Sequence, residues 1–214
     1  MNEYPSKVLQ EAVEAISSLP GVGARSALRL ALHLLRQPAE HIHHFAGAID
    51  DLATKIHYCK ECNMISDSDH CAICADSKRD HDTICVVESV RDVMSIEATG
   101  QYHGVYHVLG GIISPINGIG PGDLAIEALV ERLQKAAGQG DGNAAVQPRT
   151  EVILALSGDV EGETTSFYIY RKIAGLAAKI STLARGLGFG DDLEYADSLT
   201  LGRSIVNRQE FRPQ

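Results

Sequence analysis

Four cysteines confined to residues 59–74, in the run CKECNMISDSDHCAIC, restrict what this chain can fold into more than any other feature. Cys59/Cys62 and Cys71/Cys74 form two CxxC pairs with eight residues between them. Each CxxC turn can aim two thiolates at one point, and two such knuckles complete a tetrahedron around zinc. Sulfur at all four positions leaves no coordination site for water, so the expected ion is structural. The alternatives are free thiols or a redox pair; the clustering favours a metal over dispersed disulfides in a reducing compartment. His57, His70 and His81 flank the cluster and read as solvated side chains that could replace one cysteine. The fifth cysteine, Cys85, lies in the strand-like TICVVE and reads as a buried apolar residue.

A finger of this size is only part of a 214-residue chain, which is long enough for one large domain or two to three small ones. The longest apolar runs, such as ICVV and VILAL, have strand length, far short of the roughly 18–20 residues that span a bilayer. No signal pattern opens the chain, and the expectation is a soluble, cytoplasmic protein with no membrane partner. The formal charge is −9, with 19 Lys+Arg against 28 Asp+Glu. A global basic footprint for nucleic acid is therefore missing, and any DNA contact has to be local. The clean cationic window is residues 17–36, which hold Arg25, Arg29 and Arg36 and no Asp or Glu.

That window contains LPGVGARSALRL. Pro20 stops the preceding helix near Leu19, while Gly21 and Gly23 permit a tight path that side chains would obstruct. Leu28, Ala31, Leu32 and Leu35 recur at i, i+3, i+4 and i+7 and predict one core-facing stripe, with Arg25 and Arg29 together on another face. Exposed hairpin amides beside two arginines suit a phosphate; a solvated helix face is the alternative. A further helix is predicted after Pro38, with Phe45, Ile49, Leu52 and Ile56 at roughly helical spacing. His41, His43 and His44 are expected to be exposed.

From Thr83 the pattern alternates between strand and helix. TICVVE, YHVLG, TEVILAL and KISTLAR read as strands, and SVRDVMSIEAT, residues 123–137 and residues 164–177 read as helices. Continuous apolar strands separated by helices predict a mostly parallel sheet covered on both faces. GGIISPINGIGPGD lacks the P-loop pattern and reads as a structural loop, and the Gly-rich residues 138–149 as a mobile surface loop. Glu88 and the run SGDVEGE, with Asp159, Glu161 and Glu163, fall at the carboxyl ends of strands, where open parallel sheets gather ligands. These four carboxylates can hold Mg²⁺ if they converge, or form a solvated acidic loop.

The LPGVG hairpin, the four-cysteine finger, VVES, GGIISPINGIGP, TEVILAL…VEGE and LEYADSLTL stand in the order found in RecR, the bacterial recombination mediator family, and the chain resembles that family over nearly its whole length. The resemblance implies an α+β multidomain protein: a helix-hairpin-helix DNA-binding and oligomerisation region at 1–57, a four-cysteine zinc finger at 58–80, an α/β Toprim domain at 81–180 and a C-terminal association segment at 181–214. It also implies a non-enzymatic DNA-repair role. Such a protein binds single- and double-stranded DNA without sequence preference, as a ring-like homo-oligomer, a tetramer by resemblance. It acts with RecO and RecF to help load RecA on single-stranded gaps, independently of the RecBCD route. Arg25 and Arg29 match the family's basic positions after the hairpin, where Gly21 and Gly23 lie.

Two departures stand out. Catalytic Toprim proteins carry a first-strand glutamate, matched by Glu88, and an Asp-x-Asp pair before the E-G-E run; here that pair falls on Ser157 and Asp159. RecR proteins generally have Asn-Pro-Thr in this stretch. The rival reading is a Mg²⁺-dependent Toprim nuclease or topoisomerase using Glu88, Asp159 and Glu161, against which stand Ser157 and the lack of a tyrosine in a recognisable catalytic context. A third reading makes the same carboxylates a docking surface for a basic partner, RecO being the candidate. RGLGFGDDLEY stands where RecR commonly has a Pro-Val-Gly run.

Overall fold

Pro20 sets the first corner of the chain. In the computed structural model, which describes residues 4–138, 150–177, 179–184, 186–188, 190 and 192–208, α1 runs over Lys7–Ser17 and α2 over Ala24–Leu34. Most of the predicted loop at 138–149 lies outside the described residues. The corner is closed by Leu19 N–H donating to Ile16 O at 3.3 Å and Val22 N–H donating to Leu19 O at 3.1 Å. Gly21 takes φ +78°, a conformation that costs an L side chain energy. α3 covers Ala39–Thr54, with Pro38 pre-setting its entry.

The chain divides into two compact units, Met1–Ile56 and His57–Gln214. In the first, α1 and α2 meet through Val13, Ala27 and Ala31, with Leu9, Ile16, Val22 and Leu28 around them. Two alanines at the contact let the helices approach closely, which rotates the larger leucines outward. The predicted stripe is therefore only half right: Ala31 is buried and Leu28 half-buried, but Leu32 is 38% and Leu35 76% exposed. α3 buries none of its residues, and Phe45, Ile49 and Leu52 form a stripe that is 53%, 55% and 59% exposed. His41, His43 and His44 are exposed, as expected.

The second unit opens with a two-stranded ribbon, β1 His57–Tyr58 antiparallel to β2 Ile65–Ser66, and one turn of helix, α4 Ala72–Ala75. Then follow β3 Asp80–Val87, α5 Val90–Glu97, β4 Gly104–Val108, α6 Ile126–Gly138, β5 Glu151–Ala155, α7 Val160–Ile173, β6 Lys179–Thr182 and α8 Ser198–Val206. β4-β3-β5-β6 is the strand order, and every pairing is parallel. Strand alternation sorts the core into two faces. Ile84, Val86, Val105, Leu109, Val152 and Leu154 pack with Leu129 and Leu133 of α6 and Ile169 and Ile173 of α7. Cys85, Val87, Tyr106 and Val108 pack on the other face with Val93 of α5. Met64 and Ile73 of the cysteine finger plug into that second face as well, so the finger replaces a covering helix.

A polar clamp closes the finger's C-terminal end. The Arg79 guanidinium makes a bidentate pair with Glu97, donates to Tyr102 O and Gly104 O at 3.3 Å each, and so ties the turn before β3 to α5 and β4. Tyr106 Oη donates to the same Glu97 carboxylate at 2.7 Å. The Arg79 partner holds the Glu97 carboxyl below the usual carboxylate range. Loop 110–120 is fixed by its own bonds rather than shaped as a cradle: Ser114 and Ile119 bridge, and Asn117 Nδ2 donates to Ser114 Oγ at 2.8 Å.

Candidate metal centre and nucleic-acid interface

Both CxxC turns point inward. Cys59, Cys62, Cys71 and Cys74 are all buried, their sulfurs lie within 4.8 Å of one another, and Cys62 Sγ is 3.5 Å from Cys71 Sγ. None is in a disulfide. The first knuckle is held by Asn63 N–H donating to Cys59 O at 2.9 Å and Cys59 N–H donating to Met64 O at 2.7 Å. In the second, Cys71 caps α4 by accepting from Cys74 N–H. Hydrogen bonds from its neighbours, the Cys74 thiol first, pull the Cys62 thiol down to about 6, while burial pushes Cys71 up to about 11. Four thiolates so close would repel one another strongly; a divalent cation offsets that repulsion and deprotonates the set. The donor chemistry thus fits a tetrahedral structural zinc. His57, His70 and His81 are exposed and outside this group.

On the first unit, Arg25 and Arg29 are exposed and stand one turn apart on α2. With Leu28, Leu32, His33 and Arg36 they line one shallow groove, so arginine and leucine faces adjoin. Gly23 is the N-cap, and no side chain caps the helix. No acidic residue lies in the first turn to compete for its N–H groups.

Glu88 and Asp159 lie at the carboxyl ends of β3 and β5, bridged by Ser157: its N–H donates to Glu88 Oε1 at 2.7 Å and its Oγ to Asp159 Oδ1 at 2.9 Å. Asp159 is the N-cap of α7, accepting from Gly162 N–H at 2.7 Å. That explains the Ser-Gly-Asp sequence: the aspartate starts a helix, and the serine ties it to Glu88. Gly162 is obligatory, since a side chain there would strike the Ser157 backbone. Glu161 accepts from Ser114 Oγ at 2.7 Å, and Glu163 pairs with Arg203 of α8 at 2.6 Å. Glu88 and Asp159 thus share Ser157, while Glu161 and Glu163 turn away to Ser114 and Arg203; among the described residues the cysteines are the one group with metal-ligand spacing.

Two residues that motif reading passed over belong to the site. Asn63 is the single non-glycine with positive φ among the described residues, at 60°, and its Nδ2 donates to Val108 O at 3.0 Å. Arg132 of α6 donates to Tyr106 O at 2.7 Å and pairs with Glu61 of the first knuckle at 3.1 Å. An asparagine directly after a CxxC pair is the available signal for the first, because Asn tolerates the left-handed conformation. No local signal marks the second.

Comparison with known families and proteins agrees with this layout. The profile described as RecR, helix-hairpin-helix matches residues 9–53, and the RecR profile for the four-cysteine zinc finger domain matches 56–76. Toprim domain matches 82–184 and RecR, C-terminal matches 186–209. Recombination protein RecR of Porphyromonas gingivalis is 53% identical over 211 residues, covering 99% of this chain and 97% of that protein. The RecR of Parabacteroides distasonis is 52% identical over 212 residues, covering 99% and 97%. That of Flavobacterium johnsoniae is 51% identical over 209 residues, covering 98% and 96%.

Proposed function

Because this chain belongs to the RecR family, we propose that it is a non-enzymatic mediator of DNA repair and recombination. In this reading it grips DNA through repeated copies of its first unit in a ring-like homo-oligomer, a tetramer by family resemblance. It acts in the cytoplasm with RecO, and with RecF at gap junctions, to help load RecA onto single-stranded DNA. No described helix is long and apolar enough to cross a membrane.

The cationic face of α2 carries the reading. A chain with a net charge of −9 offers DNA a local stretch, residues 17–36, free of Asp and Glu, and there Arg25, Arg29 and Arg36 face solvent. Arginines paired with uncapped helix-start amides contact phosphates and read no bases. One such hairpin binds weakly; several around a ring add through effective concentration. The uncovered apolar stripe of α3 supports self-association of the first unit. Glu88, Asp159, Glu161 and Glu163 serve as a docking surface for a basic partner, RecO in this reading. Asp159's use as a helix cap and Ser157's place in the aspartate pair support docking over Mg²⁺ chemistry.

The test is a salt titration of DNA affinity for the wild type and the Arg25→Ala/Arg29→Ala variant. Each lost phosphate contact lowers the log–log slope by roughly 0.7–0.9, so the pair should flatten it by about 1.5 and weaken binding to all sequences alike. An unchanged slope removes these arginines from the interface. For the docking surface, Glu161→Lys should abolish RecO binding with fold and zinc content intact.

A further inference from the structure

β4 is the edge strand of the sheet, and its outer side needs a partner. In a strand, alternate residues turn their N–H and C=O groups to opposite sides. Ile84, Cys85, Val86 and Val87 of β3 take the inner side of β4, and Tyr106 and Val108 present groups outward. Those outward groups are met by the finger. Val108 N–H donates to Cys62 O at 2.8 Å, and Val108 O accepts from Asn63 Nδ2 at 3.0 Å. Tyr106 O accepts from Arg132, whose other arm pairs with Glu61. The first knuckle thus continues the sheet by one pseudo-strand, and two consecutive knuckle residues hold both polar groups of Val108.

We propose that the Cys59–Cys62 knuckle is a metal-dependent lock on the edge of the Toprim sheet, with Asn63 as the positioning residue that couples metal occupancy to β4. The knuckle's backbone path follows from two thiolates converging on one ion. Asn63 keeps that path, at φ 60°, and commits its side chain to the sheet. Without the ion no bond ties the two cysteine turns to one point, so the first turn is free to spread, withdrawing the Cys62 carbonyl and the Asn63 amide from Val108 together. Opening is confined to the outer half of β4, because β3, β5 and β6 keep their own ladder and the α6–α7 core. The sheet edge then stands open wherever zinc is stripped.

The experiment is residue-resolved hydrogen exchange on the full chain, zinc-loaded, chelated under reducing conditions, and reloaded, with metal content measured in parallel. In the chelated protein the Val108 amide should exchange roughly tenfold faster or more, while Ile153 and Leu154 of β5 keep their protection; reloading should restore Val108. Asn63→Gly accepts the same φ without its donor, so it should keep one zinc per chain yet accelerate Val108 several-fold. Equal Val108 exchange with and without zinc overturns the lock. Loss of β5 protection together with β4 also overturns it and makes the metal a staple of the whole unit. An unchanged Val108 in Asn63→Gly removes Asn63 as the coupling residue. A wild-type chain that takes up no zinc overturns the metal centre first, and the lock with it.

Discussion

His107 shows how much one buried side chain can weigh. It sits on β4 with 0% exposure, its Nε2–H donating to Ala125 O at 2.8 Å, and burial pushes its pKa down from 6.5 to about 4. Above pH 6.5 the imidazole is neutral both folded and unfolded, and adds nothing to the pH dependence. Between 6.5 and about 4 the unfolded chain takes the proton and the folded chain does not, so stability falls as pH falls. At ~1.4 kcal/mol per unit this amounts to roughly 2–3 kcal/mol by pH 4.5. His107→Gln keeps a donor for Ala125 O but cannot titrate. Urea unfolding at pH 7 and pH 4.5 should show the wild type losing that much more than the variant, thiolate protonation being common to both. Equal losses would mean His107 does not titrate differently on folding. Cys85 is the bland counterpart: fully enclosed in the second face of the sheet, its thiol pushed up to about 12, it packs as an apolar residue, as its place in TICVVE suggests.

At the scale of elements, the finger and the start of α7 make separable predictions. Cys71→Ser removes one of four ligands, so the chain should lose zinc and become protease-sensitive around residues 58–80; unchanged zinc stoichiometry takes Cys71 out of the ligand set. Asp159→Ala leaves the N–H of Gly162 without its cap and should cost about 1 kcal/mol in urea unfolding, while Asp159→Asn should stay near wild type, since Asn caps equally well. A larger loss in Asp159→Asn would mean that the charge itself is used. The finger and strands were legible because their signals are local: CxxC spacing and strand-length apolar runs. Of the two corner glycines only Gly21 is required, by its positive φ; Gly23 has φ −80°, and no neighbour would obstruct a side chain at either position, contrary to the expectation of a crowded path. Carboxylate convergence was not legible. Sequence places Glu88, Asp159, Glu161 and Glu163 at strand ends, but the partner each takes is set in three dimensions: Ser157 joins Glu88 to Asp159, Ser114 of the 110–120 loop meets Glu161, and Arg203 of α8 meets Glu163.

For the whole molecule, the uncovered faces of the first unit predict association. Phe45, Ile49 and Leu52 of α3 are each more than half exposed, an arrangement that monomers seldom keep. Light scattering should give a multiple of the 23.0 kDa chain, and Ile49→Glu should shift the mass downward with helix content and zinc unchanged. A clean wild-type monomer would undercut the ring and leave DNA binding by an acidic chain to a single hairpin. By itself the sequence determined the four-cysteine cluster that fits zinc, the hairpin corner with its arginines, the alternation of strands and helices, and the burial of Cys85, because each depends on spacing within one turn or one strand. Only the tertiary structure decided that α2 packs through alanines while Leu32 and Leu35 face out. The same holds for the finger as the edge of the sheet and for Asp159 as a helix cap. Those outcomes depend on which residues meet across many positions of chain, a competition among packing partners that no local period records.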